Sequence, residues 1–128
     1  MFKTKITVRG NELDANNHVN NAVYLNYLEQ GRWEAFREAG LMDIIKNGNL
    51  TLVVTDIRIR YMREALLFDE LEIITNIVRN SPFLLFRQRI INKATGQPIA
   101  RADTKTIFID EDRSPKDIPS IVLTTLKI

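Results

Sequence analysis

Asp14 and His18 stand four residues apart in a polar stretch, Asn11 to Asn21, that stops where a helix-like segment begins. The amides of a first helical turn have no intrahelical partner and carry the positive end of the helix dipole. Facing a substrate, they can polarise a carbonyl or hold an oxyanion. A carboxylate beside them can act as base for water or as direct nucleophile on an activated carbonyl. Asp14 is therefore the first candidate, set against the plainer role of a turn or capping residue. His18, the sole histidine, can polarise a carbonyl, position water or orient the aspartate; the plainer role is that of a surface-loop histidine. Glu29 lies within a helical turn of Leu25 and Trp33, and a carboxylate in apolar surroundings is an acid–base candidate. Its competing role is an ion pair with Arg32 at i+3. Arg58, Arg60, Arg87 and Arg89 occupy alternate positions of two segments, where they can meet the phosphates of a nucleotide-like ligand or simply form solvated strand faces.

The elements that must position these residues follow from periodicity. Phe2, Thr4, Ile6 and Val8 alternate with polar neighbours, which predicts a strand with one wet face. Asn20-Asn21 offers a helix N-cap. A helix is expected from Ala22 to Ala39, with Gly40 as its stop. Tyr24, Tyr27, Leu28, Gly31 and Ala35 form one stripe, and Ala22, Leu25, Trp33 and Phe36 a second on another face. A helix apolar on two faces needs cover on two sides, here a curved sheet and a partner subunit. After a connecting segment, Leu41 to Asn49, strands are expected over Leu52 to Met62, Leu71 to Val78, Phe83 to Ile91 and Ile99 to Ile109. Turns fall at Asn80-Ser81-Pro82 and Thr95-Gly96-Gln97-Pro98. Ala100, Ala102 and Thr104 leave room for a helix to approach the last strand. The tail, with Pro115 and Pro119, yields no assignment. One α+β domain over residues 1–128 results, with one long helix on an antiparallel sheet of about five strands.

Composition narrows the function. The hydrophobic fraction is 45% and the charged fraction 27%, ordinary for a globular protein. With no cysteine and a single histidine, a disulfide framework, a thiolate nucleophile and a Cys- or multi-His metal site are all excluded within one chain. The alternating N-terminus lacks the apolar core of a signal peptide, and no apolar run approaches the roughly 20 residues of a membrane span. A cytoplasmic protein without membrane insertion is expected. A net charge of +2 helps attract a phosphorylated ligand, but it is too dispersed for nucleic acid.

Val8-Arg9-Gly10, Leu13-Asp14-Ala15-Asn16-Asn17-His18-Val19-Asn20-Asn21, Tyr24-Leu25, Tyr27-Leu28-Glu29 and Arg32-Trp33 follow one another in order. This run closely resembles the bacterial long-chain acyl-CoA thioesterases of the thioesterase III type, within the 4-hydroxybenzoyl-CoA thioesterase group of hotdog proteins. Its Asp-x-Asn-x-His-Val-Asn-Asn core also resembles plant-type acyl-ACP thioesterases. The likeness extends more loosely through Ile57-x-Ile-x-Tyr61, Asp69-x-Leu71 and the final strand.

The resemblance implies a hotdog fold, a long helix wrapped by an antiparallel sheet, assembled as a homodimer or homotetramer with the active site between subunits. It places Asp14 on the catalytic acid position and a backbone N–H near Asn20 or Asn21 on the carbonyl-polarising position. It gives Asn16 and His18 supporting catalytic roles, as in the acyl-ACP relatives, and Glu29 the place of a helix acid. Tyr24 and Tyr27 would flank an apolar acyl tunnel, and Arg63 and Arg89 are candidates for phosphate contact. Long-chain members carry a proline after the residue matching Arg63, where this chain has Glu64, so chain-length preference is left open. The expected reaction is hydrolysis of a medium- to long-chain fatty acyl-CoA to free acid and CoA, without metal or cofactor. Alternatives are an acyl-ACP thioesterase, an enoyl-CoA hydratase, or a non-catalytic acyl-CoA-binding hotdog protein. The hydratase segment Asp-x-Asn-Pro-x-His is not matched, since Asn17 stands at its proline and the histidine is one residue closer.

Overall fold

The structure is a computed structural model that describes residues 1–128, apart from the side chain of Ile45. β1 (Phe2–Thr7) is followed by a 3-10 turn at Gly10–Glu12 and the long helix α1 (Val23–Glu38). A short α2 (Met42–Asn47) leads to β2 (Thr51–Tyr61), β3 (Glu70–Asn80), β4 (Phe83–Asn92) and β5 (Pro98–Ile109). The chain closes with a two-residue β6 (Pro115–Lys116) and α3 (Ser120–Leu126). The sheet is antiparallel in the order β1-β3-β4-β5-β2, with β6 added to β5.

Strand alternation gives the sheet an inner face that meets α1 and an outer face that does not. Ile73, Thr75 and Ile77 pair with Ile90, Gln88 and Phe86, and these pair in turn with Ala100, Ala102 and Thr104. An irregularity between Val54 and Asp56 keeps both halves of β2 facing inward. α1 buries the predicted first stripe, Tyr24, Tyr27, Leu28, Gly31 and Ala35, together with Phe36. Two core clusters result. One gathers Val8, Tyr24, Tyr27, Leu28, Ile73 and Ile90 under the start of α1. The other gathers Phe36, Leu84, Phe86, Phe108 and Val122 under its end.

The helix packs tightly on the sheet at Gly31. A Cβ there would lie 2.7 Å from Ile73 Cγ2 and 2.9 Å from Gln88 Nε2. The small residues predicted to admit the helix, Ala100, Ala102 and Thr104, lie on β5, whereas the side chains that crowd Gly31 come from β3 and β4. Gly40 at φ +75° ends the helix region as expected. The predicted N-cap differs: Ala22 caps α1 without a side-chain bond. Asn20 Oδ1 instead accepts from the Ala22 amide at 2.8 Å, so the asparagine shapes the turn leading into the helix.

Candidate active site

Asp14 to His18 form a tight loop between β1 and α1. The Asp14 amide donates to His18 O at 2.7 Å, and Asn17, at φ +61°, donates to Asp14 O at 3.0 Å. Asparagine tolerates this left-handed geometry better than most residues. Leu13 bridges Val19 across the loop base, and Val19 N donates to Ala65 O at 3.0 Å, tying the loop to the β2–β3 connection. Asp14 Oδ1 accepts the amides of Asn16 at 2.9 Å and His18 at 3.3 Å. The turn role is thus filled by one carboxylate oxygen, which fixes the loop, and the other has no hydrogen bond from the described residues. Half-buried His18 and exposed Asn16 lie on the same loop, and neither side chain has a hydrogen-bond partner among the described residues.

At the helix start, Asn20 N donates to Glu12 O and Val23 N to Asn20 O, both at 2.9 Å. The Asn21 amide has no partner among the described residues, whereas Asn21 O accepts from Tyr61 Oη at 2.8 Å. The loop thus carries a half-buried carboxylate, and the segment leading into the helix an unengaged amide; these are the group types that attack on a carbonyl held at the dipole's positive end needs.

The remaining sequence candidates separate. Tyr24 and Tyr27 lie in the core with occupied hydroxyls. Tyr24 Oη accepts from Ala65 N at 3.2 Å, and Tyr27 Oη donates to Glu12 Oε1 at 2.8 Å. Burial raises the pKa of both tyrosines, and for Tyr27 the bond to Glu12 raises it further. Glu29 is exposed on α1, roughly 10 Å along the axis from the helix start. It makes no ion pair with Arg32 or with any other described residue. Arg63 is exposed just beyond β2, its amide donating to Ile99 O at 3.1 Å. Arg89 lies on the outer face of the sheet, away from α1.

Beside Glu29 opens an apolar groove of about 300 Å³, lined by Trp33, Phe36, Leu52, Val54 and Phe86. The second apolar strip of α1 borders it, with Leu25 36% and Trp33 42% exposed. Arg32 is the residue that sequence reasoning passed over except as a partner for Glu29. Its Nη1 donates to Gln88 Oε1 at 3.3 Å and Thr104 Oγ1 at 3.4 Å. Gln88 Nε2 in turn donates to Leu28 O at 2.9 Å and Thr75 Oγ1 at 3.0 Å. Burial lowers the Arg32 pKa, opposed by the negative charge of Glu29. A glutamine in the inward row Leu84, Phe86, Gln88, Ile90 was the available signal, since a polar residue on an apolar strand face must find buried partners. Among the described residues no group of three or more His, Cys, Asp or Glu is placed to hold a metal ion. No helix of the described residues is long and apolar enough to cross a membrane.

Comparison with known proteins identifies the family of the chain and its fold. Residues 8–126 match the model of the thioesterase-like superfamily. The chain is 36% identical over 110 residues to the long-chain acyl-CoA thioesterase FadM of Escherichia coli K12, covering 85% of this chain and 83% of that protein. It is 27% identical to the acyl-acyl carrier protein thioesterase ATL3 of Arabidopsis thaliana, over 94% of this chain and 64% of that one. Among solved structures, YbaW of E. coli superposes with a TM-score of 0.89 at 31% identity, covering 99% of this chain and 97% of that one. Slr0204 of Synechocystis, a 1,4-dihydroxy-2-naphthoyl-CoA thioesterase, reaches 0.91 at 20% identity, covering 98% and 95%, and so attests the shared fold. With a single antiparallel sheet carrying one long helix, and the family model spanning nearly its whole length, the chain belongs to the thioesterase-like superfamily of hotdog proteins.

Proposed function

We propose that this protein hydrolyses a medium- to long-chain fatty acyl-CoA to the free acid and CoA in the cytoplasm. The observation that carries the reading is the Asp14 carboxylate, fixed through one oxygen by two loop amides and left with the other unengaged beside the start of α1. Water adds to the thioester carbonyl with Asp14 taking its proton, the C–S bond breaks, and CoA leaves as the thiol. Alternatively Asp14 attacks the carbonyl directly, and water then hydrolyses the resulting anhydride. The Asn21 amide, with Asn20 shaping the turn, polarises the carbonyl. Asn16 and His18 orient the water and the carboxylate, and Arg63 meets a phosphate.

The groove between α1 and β2 takes the acyl chain, with Glu29 at its rim, while Tyr24 and Tyr27 belong to the separate core cluster under the start of α1. The exposed Trp33 and Leu25 and the open edge of β2 support a homodimer that closes this groove. Light scattering that showed only a 14.8 kDa species at micromolar concentration would overturn that part.

The test of the reaction is thiol release across acyl-CoA chain lengths. Turnover should rise with chain length. Hydration of crotonyl-CoA without thiol release would mark a hydratase, and tight acyl-CoA binding without turnover a binding protein.

A further inference from the structure

The outer face of the sheet carries a charge pattern that the fold does not need. Arg89 of β4, Arg101 of β5 and Arg60 of β2 stand directly opposite one another in a single cross-strand row. In the next row Arg87 and Arg58 flank Asp103. Adjacent strands lie roughly 5 Å apart, and like charges directly opposite destabilise a sheet. Asp103 relieves little of this, reaching Arg87 only at 3.9 Å with both side chains largely exposed. No other carboxylate among the described residues comes within ion-pair distance of these arginines. The five guanidinium groups line a depression of about 420 Å³.

An ordinary solvated strand face mixes its charges. Here three guanidinium groups in register concentrate positive potential over a concave surface, which draws and holds anions. Guanidinium forks match phosphate oxygens two at a time, and two adjacent rows of them match more than one phosphate. A second copy of the chain would set its own arginine rows against these. We propose that this outer face is a binding site for a ligand carrying two or more closely spaced phosphate groups. Two sources share that chemistry: the nucleotide portion of CoA and a separate nucleotide or pyrophosphate. Only the CoA source rests on the thioesterase reading.

Calorimetric titration with pyrophosphate, 3′-phospho-ADP and inorganic phosphate tests the proposal on the whole chain. Pyrophosphate and the nucleotide should bind saturably, at least tenfold tighter than inorganic phosphate, and weaken steeply with added salt. Arg101→Gln should lower that affinity tenfold or more while leaving Tm unchanged or raised, because it relieves repulsion between neighbours. If CoA competes with pyrophosphate, and competition is lost in Arg101→Gln, the ligand is the nucleotide end of CoA. If CoA binds without displacing pyrophosphate, the ligand is a separate polyphosphate. The proposal is overturned if neither polyphosphate binds saturably, if folded Arg101→Gln binds as tightly as the parent, or if the substitution changes only the oligomeric state. Thiol release measured with an acyl-pantetheine, which lacks the nucleotide, reports on the hydrolytic reading separately.

Discussion

Two polar groupings flank α1, and they are finished differently. Under the middle of the helix, Gln88, Thr75, Thr104 and Arg32 bond to one another and to Leu28 O. No buried side-chain polar atom among the described residues is left unsatisfied. At the N-terminal end, the Asp14 loop pairs the Asp14, Asn16, Asn17 and His18 amides within itself but leaves a carboxylate oxygen, the His18 ring and the Asn21 amide without partners among the described residues. Buried polar groups left unpaired cost about 1–3 kcal/mol each, so a closed network belongs where water cannot reach. Unpaired groups belong at the rim, where a substrate can complete them. The closed grouping holds the helix on the sheet, and the open one is free to do chemistry.

The sharpest way to break this contrast is Asp14→Asn. Its amide still accepts the loop amides through Oδ1, so the fold should survive, while kcat should fall by a factor on the order of a hundred with a smaller change in KM. Steady-state kinetics alongside circular dichroism check this. A near-parental kcat would remove Asp14 from the mechanism and turn attention to Glu29.

Gly31→Ala probes the closed grouping. Alanine gains about 1 kcal/mol of helix propensity over glycine. Its Cβ, however, would meet Ile73 and Gln88 inside 3.0 Å, and such overpacking costs about 1–3 kcal/mol. Ile73 is buried and Gln88 is held by the Leu28 carbonyl, so neither can yield cheaply. A net destabilisation of about 1 kcal/mol in urea unfolding is expected, with the per-molecule rate of hydrolysis kept. A stabilised variant would show that the contact relaxes freely.

His18 sharpens the open side. A positioning role predicts that His18→Gln retains much of the activity, whereas His18→Ala loses several-fold more. Equal rates in two stable variants would assign the histidine to the loop surface alone.

The smallest effect lies at alkaline pH. The folded-state pKa of Tyr27 is raised above that of an exposed tyrosine by burial and by its bond to Glu12. Above pH about 10 the unfolded chain loses this proton while the folded chain keeps it, so stability is full below that pH and declines above it. Tyr27→Phe should flatten the decline relative to the parent in denaturation curves taken from pH 8 to 11. An unchanged slope would separate Tyr27 from it.

Much of the scaffold was legible because its periodicities are long. The ten to twelve residues of β4 and β5 and the sixteen of α1 carry enough alternation or stripe to declare themselves. The six residues of α2 and seven of α3 do not, since helices under two turns depend on tertiary packing more than on pattern. The polar loop around Asp14 was singled out by spacing and resemblance together, whereas its hydrogen bonds appear only in the fold. Burial of the Tyr24 and Tyr27 hydroxyls was not, because the groups that bind them, Ala65 N and Glu12, lie far away in the chain. The arginines of β2 and β4 were visible as alternation, but the row through Arg101 exists only once the strand register is known.

The sheet order also sets a sequence of events in time. β3, β4 and β5 join through short connections, so each pairing closes a small loop. β1 must find β3 across most of the chain, pairing Phe2 with Thr75, and β2 must find β5, pairing Thr51 with Ile109. Closing longer loops costs more entropy and slows assembly. The central meander is thus expected to form first, with the two edge strands added later. The Asp14 loop hangs between β1 and α1 and is pinned by Val19 to Ala65, just past β2, so it takes shape only when both edges are home. Catalytic competence should be the last property the chain acquires and the first it sheds, with the Val19 amide exchanging hydrogen sooner than those of β4.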